Sequence, residues 1–463
     1  MTISHLTATE ATMRFASGEL SPVELLTETL KRVERTEPVI NAVTEELRES
    51  AFAAARESER RFAEGTARPL EGIPLMLKDE QPIQGRLHQD GSLLLEGEIA
   101  EVTHPIVDRI LAAGAVVHAR TTTPEFCCAP VTHTQLWGVT RNPFNTDFTP
   151  GGSSGGSGAA LAAGSTMLAT GSDIGGSIRI PASFCGVIGF KPPFGRVPGL
   201  APYNSDTYCA DGPMGRSVAD VARLQNVISG PWAQDQASLR ETITLSGAPT
   251  PLAGVRIALS PTLGAYSPDP AVVANTLAMG DALRAAGATV DEVELPWSLD
   301  ELLELAWAHF GAIMGSSIED HVRGDPAREA LLMPYTRGFI GRSASSIDYA
   351  EGLEGEARFY RPLGDLLERY DALICPSVAN TGFAADDACA DPDAAFTNLM
   401  TLPFNVVGRV PVLSVPSGRA PNGVPTGVQI VGKTYDDRSV FSIGAAIEAE
   451  LELWTGADWW PAL

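Results

Sequence analysis

No stretch of this chain comes near the ~18 consecutive apolar residues that a bilayer span requires, so a membrane-embedded protein is not expected. The N-terminus, MTISHLTATEATMRFASGEL, has neither a basic start nor an apolar core, and is not read as a secretory signal. Cysteine is sparse: Cys127, Cys128, Cys185, Cys209, Cys375 and Cys389 form no C-x-x-C pair and no disulfide framework. Basic residues are outnumbered, and a net charge of −24 argues against nucleic acid as a principal partner, because phosphate binding needs clustered cations. H-E-x-x-H is missing as well, so no metal or organic cofactor is called for. A cytoplasmic protein is the default expectation, a monomer or a homodimer.

What is present is an ordinary globular composition, 44% apolar and 19% charged over 463 residues, enough for a large core. Ser21-Pro22-Val23-Glu24 is a capping box with proline at the first helical position. It opens an amphipathic run to about Thr36, and a second helical run covers roughly Thr44 to Phe62. GIPLMLKDE supplies a short strand ending at Lys78, and a helix near Pro105–Ala113 leads into the strand AVVHA. Further on, GVRIALS, Pro270–Ala286 and TVDEVELP read strand–helix–strand. Long helical patterns cover about Leu299–His321 and Ile347–Tyr370, and ALICPS, PVLSVPSG and TGVQIVG read as strands before a final helix from about Asp437. The expected fold is α/β: one large domain over 1–463, with a mixed central sheet covered by helices on both faces. Within it, 1–65 is a helical N-terminal part, 66–200 the catalytic core, and 201–463 the remaining sheet and substrate-side helices.

Three motifs compete for a function. Gly427-Val-Gln-Ile-Val-Gly432-Lys433-Thr434 matches the phosphate-loop pattern, which would make the chain a nucleotide binder. Its Val-Gln-Ile-Val insert alternates like a strand, however, whose N–H groups belong to a ladder. Gly151-Gly152-Ser153-Ser154-Gly155 matches the nucleophile elbow G-x-S-x-G, but RNPFNTDFTP before it is a loop and not a strand. After Ser153 only His309 and His321 remain as triad histidines, both in a helical pattern. The third signal joins two glycine-rich clusters to a distant lysine. The first turns the chain into a helix through Ala159–Ala163. The second, GSDIGGSIR, sets Ser177 behind glycines, and free N–H groups of Ile174, Gly175 and Gly176 could nest a developing oxyanion. Serine needs a base, and without a suitable histidine a desolvated lysine is the substitute.

The stretch GGSSGGSGAALAAGSTMLATGSDIGGSIRIPASFCGVIGFKP, Gly151 to Pro192, resembles the amidase signature family of Ser-Ser-Lys hydrolases. GIPLMLKD around Lys78, TRNPFN at 140–145 and TLPFNVVGRVPVLSVPSG at 401–418 fit the same family. The resemblance implies Ser177 as nucleophile, Ser153 as the bridging serine with its peptide bond cis, and Lys78 as base. It also implies Ser154 as a hydrogen-bond partner of the lysine, with Asp173 and Arg179 bracing the oxyanion loop. After Lys78 the chain reads EQPIQGRLHQDGS, where the family shows a threonine-rich stretch. By distance from RNPF, Cys127 matches a position lining the acyl pocket of relatives such as fatty acid amide hydrolase. With Phe126, Cys128 and Phe194 it suggests an apolar pocket and a small, neutral, hydrophobic or aryl amide as substrate. Carbamates and esters share the tetrahedral chemistry and are equally open. An alternative within the family is the amidase subunit of an aminoacyl-tRNA amidotransferase; a catalytically silent binding module is a third class.

Overall fold

Two apolar runs that end in polar residues lie side by side and frame everything that follows: β2 covers Pro74–Lys78 and β3 covers Val116–Thr121, both fully buried. The computed structural model describes residues 6–463. β1 (Val43–Glu46) precedes these two strands, and β4 (His133–Thr134) with β5 (Gly138–Val139) forms a short separate hairpin. The remaining strands are β6 (Leu168–Asp173), β7 (Ile188–Lys191), β8 (Ala210–Gly215), β9 (Arg256–Leu259), β10 (Thr289–Glu292), β11 (Ala372–Pro376), β12 (Val412–Arg419) and β13 (Pro425–Val431). Eleven of them make one sheet in the order β1-β3-β2-β6-β8-β7-β12-β13-β11-β9-β10. The sheet is mixed: β3, β2 and β6 run parallel, β6 through β11 pair antiparallel, and β11, β9 and β10 are again parallel. Helices flank it, making one large α/β domain. Among the described residues, no helix is long and apolar enough to cross a membrane.

Local signals act where they were read. Ser21 Oγ accepts from Val23 and Glu24 N–H while the Glu24 carboxylate accepts from Ser21 N–H, and the helix runs Pro22–Ile40. The helical pattern at 299–321 is one rod, Leu299–Phe310 continued through a π turn at Gly311–Gly315 into Ser316–Asp320. One reading fails. Residues 44–46 are strand and not helix, because β1 pairs antiparallel with β3 at the sheet edge, and Leu47 N–H is held by His118 C=O at 2.8 Å before the helix Arg48–Ala63 begins; tertiary pairing overrides the helix propensity of Glu45 and Glu46. The strand reading of the phosphate-loop match holds: its residues Gly427–Val431 lie in β13, paired on both sides by β12 and β11.

Candidate active site

Lys78 is the last residue of β2, and Ser172 lies near the end of the neighbouring strand β6. Period-two alternation puts Thr170 and Ser172 on one face. Thr170 Oγ1 accepts from the Lys78 backbone N–H at 3.0 Å, and Ser172 Oγ accepts from Lys78 Nζ at 2.7 Å. Lys78 Nζ also donates to Ser153 Oγ at 2.7 Å and pairs with Glu80 Oε2 at 2.9 Å. Ser172 Oγ in turn donates to Glu80. The Gly152–Ser153 peptide bond is cis. Lys78 is thus fully buried, and opposing influences act on it: burial works to lower its pKa, but the Cys127 sulfur and the Glu80 carboxylate raise it above the ordinary lysine value. The Cys127 thiol is itself pushed well up by burial and Glu80, so it is neutral near pH 7 and the carboxylate is the operating counter-charge.

β6 delivers the chain into the loop Ile174–Ser177, and the helix Arg179–Phe184 follows. Among the described residues, the backbone N–H groups of Ile174, Gly175 and Gly176 have no hydrogen-bond acceptor, as an oxyanion nest needs. A buried polar cluster fixes this loop. Asp173 accepts from Ile178 N–H, Arg179 N–H, Arg179 Nε and Nη2, and Asn405 Nδ2. Arg179 spends its other N–H groups on Thr401 C=O, Gln429 Oε1 and Asn405 Oδ1 at 2.9, 2.8 and 2.7 Å. Thr401 Oγ1 closes the ring by donating to Gly175 C=O at 2.8 Å. Burial favours a protonated Asp173, but Arg179 overrides it and keeps the carboxylate pKa below its ordinary value.

Ser177 opens onto a small cavity whose wall is apolar: Cys127, Cys128, Phe310, Met314, Phe339 and Phe396. Among the described residues the Ser177 hydroxyl has no hydrogen-bond partner, so of the two expected relay links Lys78–Ser153 is formed and Ser153–Ser177 is not; such contacts commonly tighten only when substrate is bound. Its backbone C=O accepts from Ser154 N–H at 3.1 Å, tying the two serine loops together.

Three details depart from the sequence reading. Ser154 Oγ does not touch the lysine; it bonds the backbone of Ser172 (N–H at 3.3 Å, C=O at 3.4 Å), because it sits at the helix start behind Ser153. Phe126 lines a neighbouring cavity with Glu80 and Ser172 and not the one over Ser177. Phe194 stands farther off, in a separate cavity with Pro82, His104, Tyr203 and Asp211, because Pro192 and Pro193 turn the chain away from β7. His309 is buried on Asp206 at 2.6 Å and stacked on Tyr208, and does not line the Ser177 cavity. Glu80, Ser172, Thr401, Asn405 and Gln429 were not singled out from the sequence. Strand parity with Thr170 marks Ser172 only once β6 is known to be a strand; Glu80 follows Lys78 within the departing segment.

The Amidase family model matches residues 24–441. The chain belongs to the amidase family. In sequence the amidase is 34% identical to a glutamyl-tRNA(Gln) amidotransferase subunit of Synechococcus sp. (strain CC9605), over 93% of this chain and 94% of that one. In structure it is similar to a bacterial aryl acylamidase of the amidase signature family, with a TM-score of 0.89 and 26% identity over 97% of both chains. It also resembles the corresponding glutamyl-tRNA(Gln) amidotransferase subunit of Thermotoga maritima, with a TM-score of 0.79 and 26% identity over 97% of this chain and 95% of that one.

Proposed function

We propose that the amidase hydrolyses a small neutral amide with an apolar acyl part, using Ser177 as nucleophile, Ser153 as bridge and Lys78 as base. The observation that carries this reading is the apolar wall facing Ser177. Neither it nor the two adjoining cavities has a lysine or arginine among its lining residues, so a substrate carboxylate would be buried without a cation. In the first step the Ser177 proton passes to Ser153 as the Ser153 proton passes to neutral Lys78, and the Ser177 Oγ–carbon bond forms. The oxyanion is met by the N–H groups of Ile174–Gly176. The relay then reverses: Lys78 returns its proton through Ser153 to the amine as the carbon–nitrogen bond breaks. Water enters by the same path and releases the acid. A carbamate or ester fits the same steps.

A panel of aryl amides, carbamates and esters tests this, with mass mapping of a trapped acyl-serine. Ser177→Ala and Lys78→Ala should each lower kcat by about 10⁴-fold or more with unchanged circular dichroism. Near-normal turnover in either rejects the scheme.

A second reading, one component of an amidotransferase, is favoured by the sequence relatives, which support it better than they support a stand-alone hydrolase. The net charge of −24 and the cation-free cavities weigh against a polyanionic or carboxylate-bearing substrate meeting this chain directly. The purified chain separates the two: amide turnover without partner proteins supports the hydrolase, and turnover only after adding them supports the amidotransferase component.

A further inference from the structure

A lysine that serves as base must be neutral when the hydroxyl proton arrives. Lys78 instead rests 2.9 Å from the Glu80 carboxylate, a partner that favours the ammonium form. An ammonium has three donors, and three acceptors meet them: Ser153 Oγ at 2.7 Å, Ser172 Oγ at 2.7 Å and Glu80 Oε2 at 2.9 Å. In that state Ser153 Oγ receives a hydrogen from the lysine and cannot pass its own to it. Glu80 is the one anionic member, its side chain 23% exposed at the wall of the cavity beside Phe126 and Tyr203.

We propose that Glu80 is a positioning residue whose carboxylate pins Lys78 as an ammonium between Ser153 and Ser172, so that the relay opens only when the lysine sheds a proton. The inference rests on the Ser177–Ser153–Lys78 reading above. Its geometry is reinforced by Ser172, which donates to the same carboxylate. The other titratable groups around the pair are Cys127 after β3, Asp90 with His88 and His104 after β2, and Tyr203, Cys209 and Asp211 leading into β8. Burial holds the His104 pKa down at about 4, so His104 supplies no cation near neutral pH in place of Lys78, and burial pushes Asp90 up to about 6 and Asp211 up to about 7. Without Glu80, burial becomes the dominant influence on the lysine and favours the free amine.

The test reads nucleophile activation without needing the natural substrate. A fluorophosphonate forms an Oγ–phosphorus bond at Ser177 as the phosphorus–fluorine bond breaks; fluoride leaves and the serine proton goes through Ser153 to Lys78. The second-order labelling rate is followed by intact mass from pH 6 to 10 for wild type, Glu80→Gln and Glu80→Asp. Wild type should rise tenfold per pH unit without a plateau. Glu80→Gln should bend to a plateau and react at least about tenfold faster at pH 7. Glu80→Asp, which keeps the charge, should follow wild type. Labelling that is lost in Ser177→Ala but has the same pH profile in wild type and Glu80→Gln overturns the role of Glu80 and leaves the serine reading standing. Labelling that survives Ser177→Ala overturns that reading and this inference with it.

Discussion

Gly176 has φ +126°, a backbone conformation that an L side chain adopts only under strain. A Cβ built there would lie 2.0 Å from Thr401 Oγ1 and 2.6 Å from Thr401 Cβ. Thr401 has no room to yield: it is fully buried, its hydroxyl donates to Gly175 C=O at 2.8 Å, and its own C=O accepts from Arg179 at 2.9 Å. Gly176→Ala therefore carries a backbone cost of about 1–3 kcal/mol and an overpacking cost of about 1–3 kcal/mol. The loop relieves both most readily by shifting, which turns the N–H groups of 174–176 from the proposed oxyanion position. Loss of one such donor lowers kcat by about 10²–10³-fold. Steady-state kinetics on the best amide of the panel should show that fall in kcat with a much smaller change in KM, while circular dichroism reports an intact fold. Gly175→Ala serves as the stability control, because its nearest contacts, Phe310 Cζ at 3.7 Å and Leu402 Cδ1 at 3.8 Å, are ordinary; its melting temperature should stay near wild type. If Gly176→Ala keeps kcat within about threefold of wild type, the loop is not held as argued and the oxyanion assignment fails.

Arg179→Lys should be costly despite its retained charge. All five guanidinium N–H groups have acceptors, and an ammonium reaches too few to serve Asp173, Thr401, Gln429 and Asn405 together. Loss of two charge-assisted bonds lowers stability by about 3 kcal/mol or more in urea denaturation; a change under about 1 kcal/mol contradicts this. Asp211→Asn gives a pH signature. Burial and then Glu80 raise the Asp211 carboxyl to about 7, so between the unfolded value near 3.9 and about 7 the folded state holds a proton that the unfolded chain has lost. That contribution is full at low pH and is lost as pH rises through 7. The stability of Asp211→Asn relative to wild type should therefore grow from pH 5 to pH 8; equal or opposite differences refute it.

The amidase was legible in sequence wherever local chemistry decided the outcome. The capping box at Ser21, the strand ending at Lys78 and the ladder character of Val-Gln-Ile-Val needed only neighbouring residues. The central strands β6, β7 and β8 went unread because they are built from small and polar residues, such as LATGSD and ADGPMG. Those residues are strands only because they pair with one another inside the sheet, β6 with β8 and β8 with β7. The pocket wall was illegible for the same reason: Phe310, Phe339 and Phe396 reach Ser177 from far along the chain, and nothing in their own helical patterns distinguishes a cavity wall from a core. Phe194 failed in the other direction, as proximity in sequence to the catalytic block did not place it beside Ser177.

Three parallel strands explain why the site forms where it does. β2, β3 and β6 lie side by side, and each carries a group of the candidate site at or beyond its C-terminal end: Lys78 and Glu80, then Cys127, then Ser172 and the Ile174–Ser177 loop. Crevices outside the carboxyl ends of parallel strands are the usual ligand sites of such sheets. Here the crevice is narrowed by the serine segment laid across it. Gly155 and Gly156 pass so close to Thr132 and Thr122 that a Cβ would lie 2.2 and 2.5 Å from their side-chain oxygens. A larger residue at either position would lift Ser153 from Lys78, so the glycine content of this stretch follows from the 2.7 Å contact it must deliver.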